Sequence, residues 1–256
     1  MILVIDIGNT DTVLGVYDND LLKHNWRIRT LNEITADEFN ILVNALLIDK
    51  KVVREKIIKV VISSVVPSAV PVLNAYCESY LKLSPLWVEP LYVKTIMPIL
   101  YDNPNEVGAD RIVNAIAAFE KYQTSLIIID FGTATTFDII SSKGEFIGGA
   151  IAPGIIISAE ALFKKASRLP RVEIFKAPKN IIGKHTIESI QSGVIYGHAA
   201  MIDGMIERIK DEMSSLPKTI ATGGLSPLIS KIAKSIDVIE QNLTLEGLKL
   251  ISTKAL

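Results

Sequence analysis

The stretch LIIIDFGTATTFD, residues 126–138, places a carboxylate where a buried strand would normally carry none. Four apolar residues run directly into Asp130, and Gly132 and three threonines follow within six positions. Asp is depleted from strands, and an ionised carboxylate near an apolar core is unfavourable unless a cation or hydrogen-bond donor meets it. We therefore expect Asp130 to end a strand and either to bind a ligand or to hydrogen-bond its own turn.

The N-terminal stretch ILVIDIGNTDTV, residues 2–13, has the same arrangement. Residues 5–10 align without a gap with residues 129–134, and each turn is followed by a second β-prone run, VLGVYD or TTFDII. Each stretch thus predicts a strand, a tight glycine-containing turn and a returning strand. One such hairpin could be purely structural, but two of them about half a chain apart indicate a duplicated domain.

The composition is typical of a globular protein that lies free in solution. The 256 residues are 49% hydrophobic and 21% charged, and the net charge is −1 with Lys and Arg scattered, which disfavours nucleic acid or an anionic membrane as a partner. Asp6 interrupts the N-terminal apolar run, unlike a signal peptide, and no stretch is long enough to span a bilayer. A single cysteine, Cys77, excludes an internal disulfide framework and a cysteine-based zinc site. We expect a cytoplasmic protein.

The order of predicted elements is repeated in the two halves of the chain. Three β-prone runs open each half and alternating helices and strands follow, which predicts two α/β domains, 1–115 and 116–256, facing each other across a cleft. A capping box at Thr35–Glu38 begins a helix that reaches about Ile48. The other predicted spans are strands at 2–7, 11–18, 21–29, 57–63, 125–130, 134–141, 145–152 and 218–221, and helices at about 154–166, 187–213 and 225–235.

Both predicted turns have residues suited to phosphate binding. Glycine allows backbone N–H groups to approach a polyphosphate, and the hydroxyls of Thr10, Thr12 and Thr133 add donors. A carboxylate at each strand end can hold a cation beside the phosphates. This organisation resembles the superfamily of sugar kinases, Hsp70 and actin, which implies two duplicated ribonuclease H-like domains around a nucleotide cleft. The segment TIATGGLSPLI, residues 219–229, resembles the strand, turn and helix that border the nucleoside there.

The segment YDNPNEVGADRIVNA, residues 101–115, is a polar loop that opens an amphipathic helix. Asp110 stands at the predicted helix start, where it could simply be an N-cap. Small residues precede it and Arg111 follows it, so this stretch could instead admit and bind a ligand.

An ordered series of motifs resembles that of the type III pantothenate kinases over nearly the whole chain. The series is DIGNT at 6–10, YDNPNEVGADR at 101–111, DFGTATTFD at 130–138, GGAIAPG at 148–154, LP at 169–170, GKHTIESIQSG at 183–193 and ATGG at 221–224. One position departs from the family pattern, since His185 stands where a small polar residue is expected. The important neighbour in that motif, Thr186, is present.

The resemblance implies phosphorylation of pantothenate by ATP to give 4'-phosphopantothenate, the first step of coenzyme A biosynthesis. It implies that Asp110 is the catalytic base and that Asp130 holds a monovalent cation, potassium or ammonium. It also implies a homodimer with the pantothenate pocket near the interface. The implied ATP-binding residues are Asp6, Ile7, Gly8, Asn9, Thr10, Asp11, Thr12, Val13 and Thr133, and the implied pantothenate-binding residues are Tyr101, Gly108, Ala109, Asp110, Arg111 and Thr186.

The residue types suit this chemistry. Phosphoryl transfer has a loose transition state, so Asp110 would mainly orient the acceptor hydroxyl, and proton acceptance would follow. The helix N-terminus and Arg111 would both favour its ionised form, although Arg111 could instead bind a polar group of pantothenate. Asp6 is best placed for magnesium. Gly193 and Gly197 permit close helix contact, either within one chain or across a dimer. His24, His185 and His198 are expected to be non-catalytic.

Two other functions remain open from the sequence. One is a kinase of the same superfamily that acts on a sugar or an acyl acid. The other is a nucleotide-dependent regulatory protein that keeps the fold without catalysis, which the presence of Asp6, Asp110, Asp130 and Thr186 together disfavours.

Overall fold

A computed structural model describes residues 1–31, 33–93 and 95–254, which form two compact units. Unit 1 comprises Met1–Ala117 and the C-terminal segment that begins at Leu243, and unit 2 comprises Ala118–Asn242. The predicted domains were 1–115 and 116–256, so the two divisions differ mainly in the C-terminal segment. Residues 255 and 256 of the predicted second domain lie outside the described residues.

Unit 1 is built on a five-stranded sheet in the order β3-β2-β1-β4-β5. Strand β1 pairs antiparallel with β2 and parallel with β4. The strands are β1 Ile2–Ile7, β2 Asp11–Asp18, β3 Leu21–Arg29, β4 Lys59–Ser64 and β5 Leu86–Trp87. The helices are α1 Ala36–Asp49, α2 Ala69–Tyr76, α3 Pro90–Val93 and α4 Ala109–Tyr122, of which α4 continues past Ala117 into unit 2. Short 3-10 turns lie at Arg54–Lys56 and Pro104–Glu106, and a π-helical turn lies at Cys77–Leu81.

The core of unit 1 lies between one face of this sheet and helices α1 and α2. Alternate residues of β1, among them Leu3 and Ile5, are fully buried in one apolar cluster with Phe39 of α1 and Tyr76 of α2. Helix α1 begins with the predicted capping box, because the Thr35 hydroxyl accepts the Glu38 N–H and the Glu38 carboxylate accepts the Thr35 N–H. The other face of β1 carries Asp6, which this arrangement leaves outside the apolar cluster.

Unit 2 repeats the sheet of unit 1. Its order is β8-β7-β6-β9-β10, and β6 pairs antiparallel with β7 and parallel with β9, as β1 does with β2 and β4. The strands are β6 Leu126–Phe131, β7 Ala134–Ile140, β8 Phe146–Pro153, β9 Lys218–Thr222 and β10 Val238–Ile239. The helices are α5 Ile155–Lys165, α6 Thr186–Glu212 and α7 Ser226–Ile229. The duplicated α/β organisation predicted from the two hairpins is therefore confirmed.

The C-terminal helix α8, Leu243–Lys254, packs on the sheet of unit 1. Its Leu245 lies against Gly15 of β2, Gly247 lies against the Val113 carbonyl of α4, and the Thr244 hydroxyl donates to Asn114 at 2.7 Å. The predicted domain boundaries, 1–115 and 116–256, assigned this segment to the second domain, because element order alone does not tell which sheet a C-terminal segment covers.

Helix α7 is shorter than the predicted span of 225–235. It ends at Ile229, and the backbone N–H groups of Lys234 and Ser235 both donate to the Asp203 carboxylate of α6, at 2.8 and 2.9 Å. A continued helix would direct these N–H groups to its own carbonyls. Across the described residues, we find no helix with the length and apolar character that crossing a bilayer requires.

Candidate active site

The β1–β2 turn of unit 1 lies at the carboxyl end of β1. The Gly8 N–H donates to the Asp11 carbonyl at 3.0 Å, which closes the turn, and Asn9 and Thr10 at its tip are exposed. The Asp11 carboxylate forms an ion pair with Arg27 of β3 at 2.9 Å. Thr12 differs from the tip residues because it is buried, with 4% of its surface exposed.

Asp6, the last polar residue before this turn, is half-buried and paired with a serine on the neighbouring strand. Parallel pairing sets Asp6 opposite Ser63 of β4, and the Ser63 hydroxyl donates to Asp6 Oδ1 at 2.6 Å. Burial and the negative charge of Asp110 raise the pKa of Asp6 to about 7, whereas Ser63 and the Arg27 guanidinium favour its ionised form. The carboxyl group can thus change protonation near neutral pH.

Asp110 lies in the first turn of α4, which begins at Ala109, so it does not occupy the N-cap position itself. Its carboxylate accepts the Arg111 backbone N–H at 2.8 Å. The side chain fits closely over Gly108, where an added Cβ would lie 2.6 Å from Asp110 Oδ1. Arg111 is 6% exposed, and its N–H and charge lower the pKa of Asp110 as predicted, but burial outweighs both and raises that pKa overall.

Unit 1 therefore brings together two carboxylates that the sequence predicted separately. The negative charge of Asp110 disfavours ionisation of Asp6 and adds to the effect of burial in raising the pKa of Asp6. Such a pair favours either a proton on one group or a cation beside both. Tyr101 also belongs to unit 1, in the irregular segment that precedes the 3-10 turn at Pro104–Glu106.

In unit 2, Asp130 lies near the end of β6 between Thr136 of β7 and Thr222 of β9. The turn after β9 packs directly against it. Gly223 has φ +87°, and a Cβ at this position would overlap Asp130 Oδ1 and lie 2.7 Å from the Phe131 nitrogen. Gly223, the first glycine of TIATGG, is therefore required by a close approach to the carboxylate, in addition to its backbone conformation.

The start of helix α5 meets the β6–β7 turn. Gly154 is the N-cap of α5, no side chain caps the helix, and a Cβ on Gly154 would overlap the Thr133 carbonyl and lie 2.7 Å from the Gly132 oxygen. Gly132 and Thr133 are exposed. The uncapped helix N-terminus and the glycine turn thus lie side by side within unit 2.

Thr186 is the first residue of α6 and lines a cavity of about 720 Å³ between α5 and α6. Ser158 and Leu162 of α5 and Ser189 and His198 of α6 also line this cavity. His185, where the family pattern is broken, serves as the N-cap of α6, and its Nδ1 accepts the Glu188 N–H at 3.4 Å. The predicted pantothenate residues are thus divided, with Tyr101 and 108–111 in unit 1 and Thr186 in unit 2.

Comparison with known proteins decides the family. The family model described as type III pantothenate kinase matches residues 2–208. The chain belongs to the type III pantothenate kinase family. A type III pantothenate kinase from Desulforapulum autotrophicum is 60% identical over 252 residues, covering 98% of this chain and 96% of the relative. A second, from Syntrophus aciditrophicus, is 55% identical over 251 residues and 98% of each chain.

A solved structure supports the fold. The activator of 2-hydroxyisocaproyl-CoA dehydratase from Clostridium difficile, with bound ADPNP, superposes with a TM-score of 0.55 at 13% identity, covering 99% of this chain and 94% of that one. With its two matching five-stranded sheets, this type III pantothenate kinase family member has the duplicated ribonuclease H-like fold of the actin and sugar-kinase superfamily.

Sequence reasoning missed three residues of the site in unit 1. The Ser63 hydroxyl donates to the Asp6 carboxylate, and the Arg27 guanidinium donates to the Asp11 carboxylate. The Thr30 hydroxyl donates to the Gly8 carbonyl of the glycine turn. Their positions depend on the pairing of β4 and β3 with their neighbours, which no local motif encodes. The serine pair that ends β4 was the only signal available for Ser63.

Proposed function

We propose how this chain carries out the ATP-dependent phosphorylation of pantothenate to 4'-phosphopantothenate, the reaction that its family membership assigns to it. Asp110 is the base, Asp6 and the turn up to Val13 bind the phosphates of ATP with Thr133, and Asp130 holds a monovalent cation. The observation that carries this assignment is the glycine turn that follows Asp6, closed by the Gly8 N–H and the Asp11 carbonyl, with the Asp6 carboxylate held by Ser63 and influenced by the charge of Asp110.

Asp110 orients the primary hydroxyl of pantothenate and accepts its proton as the phosphoryl group transfers. Phosphoryl transfer has a loose transition state, so the proton leaves late and positioning supplies most of the rate. Burial raises the pKa of Asp110, which makes its carboxylate a stronger base than one in water. The Arg111 N–H, which donates to this carboxylate at 2.8 Å, fixes its direction.

The β1–β2 turn binds ATP through its backbone. Gly8 permits close approach of the phosphates, and Asn9 and Thr10 at the tip of the turn are exposed, so a ligand can reach the turn. In unit 2, Thr133 lies beside the N-terminus of α5, which no side chain caps and where positive partial charge favours a phosphate oxygen.

The residues present fit the two proposed cations. The Asp130 carboxylate and the Phe131 carbonyl both lie close to Gly223. Carboxylate and carbonyl oxygens are ligands that suit potassium or ammonium. Burial and the charge of Asp110 make a negative charge on Asp6 unfavourable and raise its pKa to about 7. A magnesium ion with its waters would offset that charge, so Asp6 suits magnesium. Both cations would neutralise phosphate charge. The protein's part is to hold Asp6 by the Ser63 hydroxyl and Asp130 by the packing of Gly223.

Pantothenate binds to Tyr101, to Gly108, Ala109, Asp110 and Arg111, and to Thr186 in this proposal. The cavity at Thr186 combines hydroxyl groups from Ser158 and Ser189 with the apolar side chain of Leu162, which suits a branched, hydroxylated and amide-containing substrate. A cytoplasmic location belongs to the same proposal because ATP is the phosphoryl donor.

The homodimer is also proposed, supported by surfaces that the chain leaves uncovered. A Cβ on Gly193 or Gly197 of α6 would meet no atom of residues 1–31, 33–93 or 95–254 within 4 Å, so these residues do not make the close helix contact that the two glycines permit. Helix α5 exposes Ile156, Ile157 and Phe163. Light scattering on the purified chain should give twice the mass of one chain, and a monomer at all concentrations would refute this part.

The reaction is tested by measuring ADP formation with and without pantothenate. We expect ADP formation that requires pantothenate and is absent with sugars or other acyl acids as acceptors. Activity on a sugar alone would favour the other kinase, and ATP binding with no turnover on any acceptor would favour the regulatory protein.

A further inference from the structure

Thr30, the residue directly after β3, contacts the β1–β2 turn at three points. Its hydroxyl donates to the Gly8 carbonyl at 2.7 Å and lies 2.9 Å from the Thr12 hydroxyl, and its backbone N–H donates to the Thr10 carbonyl at 2.9 Å. A residue 18 positions away from Thr12 in the chain thus contacts residues on both sides of the turn tip.

The hydroxyl contacts fix the direction of each hydrogen bond. A carbonyl can only accept, so the single proton of the Thr30 hydroxyl goes to Gly8. The Thr12 hydroxyl must then be the donor in its contact with Thr30. Since Thr12 is only 4% exposed and its proton is already used, its hydroxyl is not the phosphate donor that the sequence suggested. Any contribution of Thr12 to ATP binding comes through its backbone.

We propose that Thr30 is a positioning residue for the phosphate-binding turn, an inference that rests on the proposed binding of ATP there. In a trans peptide unit the C=O and the following N–H point in opposite directions. When Thr30 holds the Gly8 carbonyl, it therefore also sets the direction of the Asn9 N–H, and its bond to the Thr10 carbonyl does the same for the Asp11 N–H. These N–H groups are donors that must already point at the phosphates for ATP to bind without reordering the turn.

The experiment compares Thr30→Val, which removes the hydroxyl at similar volume, with Thr30→Ser, which restores it. The matched control is Thr253→Val on α8, which also removes a threonine hydroxyl bonded to a carbonyl, at 2.8 Å, away from the turn. For each variant we measure kcat, the KM for ATP and for pantothenate, the melting temperature, and the Kd of a non-hydrolysable ATP analogue by calorimetry.

Thr30→Val should raise the KM for ATP and the Kd of the analogue about 10-fold, as expected for roughly two neutral hydrogen bonds, with the KM for pantothenate unchanged. Thr30→Ser should restore most of the affinity, and Thr253→Val should leave both substrates unaffected. A wild-type affinity for the analogue in Thr30→Val, or an equal rise in both KM values, would overturn the proposal.

Thr12→Val provides a second route if Thr30→Val does not fold. It removes the donor to Thr30 but keeps the bond to Gly8, so we expect a smaller rise of about threefold in the Kd of the analogue. An unchanged Kd would then overturn the proposal. Failure of the proposed function is distinguishable, because in that case the wild-type chain itself would form no ADP with pantothenate.

Discussion

Replacing Ser63 with alanine should move the pH dependence of catalysis without abolishing it. The Ser63 hydroxyl donates to the ionised form of Asp6 at 2.6 Å, and burial has already raised the pKa of Asp6 to about 7. A hydrogen bond to a charged group contributes roughly 1.5–3 kcal/mol, which corresponds to about one to two pKa units. Loss of this donor should therefore raise the pKa of Asp6 to about 8–9.

The assay is kcat/KM for ATP as a function of pH, because this ratio reports groups of the free enzyme. At pH 7 the ionised fraction of Asp6 should fall from about one half to about 1–10%, so kcat/KM should drop roughly 5- to 50-fold and recover near pH 9. Magnesium is held at one saturating concentration for both enzymes, which keeps the titration of ATP itself out of this range. Magnesium bound beside Asp6 would lower the pKa of Asp6 in both enzymes, so the quantity compared is the shift between their two pH profiles.

Ser64→Ala is the matched control for this experiment. Within the described part of the chain, the Ser64 hydroxyl bonds to the backbone of Val66, accepting its N–H at 3.0 Å and donating to its carbonyl at 3.1 Å. We expect this variant to lose stability while its pH profile stays that of the wild type. If Ser63→Ala lowered activity equally at every pH, Ser63 would be a packing residue and the link to Asp6 would be refuted.

Three further predictions concern the other carboxylates and the Gly223 turn. Asp130→Ala should remove activation by potassium, measured by a potassium titration of activity beside thermal melting; a folded mutant that still responds to potassium would mean that Asp130 only hydrogen-bonds its turn. Gly223→Ala should lower both melting temperature and potassium activation because of its φ of +87° and the overlap with Asp130, whereas Gly224→Ala, with open space around it, should do neither. Asp6→Asn should raise the melting temperature at pH 8 and leave it unchanged at pH 4: the pKa of Asp6 rises from 3.8 to about 7 on folding, so its ionisation opposes folding increasingly between these values. A stability gain that is equal at both pH values would contradict that sign.

The residues with a local signature were predictable from the sequence. A carboxylate that follows an apolar run and precedes a glycine turn predicted that Asp6 and Asp130 lie near strand ends, and the repetition of this pattern predicted the two matching sheets. The Thr35–Glu38 capping box fixed the start of α1 because its two partners are three residues apart.

The residues that depend on pairing between distant segments were not predictable. Ser63 meets Asp6 only because β4 pairs with β1 in one register, and Thr30 reaches Gly8 only because β3 follows β2 to its end. The far end of the predicted helix 225–235 depends on a similar contact, since Asp203 on another helix accepts the N–H groups of Lys234 and Ser235, which a continued helix would direct to its own carbonyls. In each case the partner lies far away in the chain, beyond the reach of propensity or spacing.

The central claim, that Asp110 is the catalytic base, is tested most directly by Asp110→Asn with both turnover and binding measured. Asp102→Asn, an exposed change in the loop before α4, is the control. We predict that Asp110→Asn lowers kcat by about 10²–10⁴-fold, as removal of a general base typically does, while the Kd values of ATP and pantothenate stay close to those of the wild type. Near-normal turnover in Asp110→Asn would contradict the account and leave Asp110 as a residue that only stabilises the start of α4.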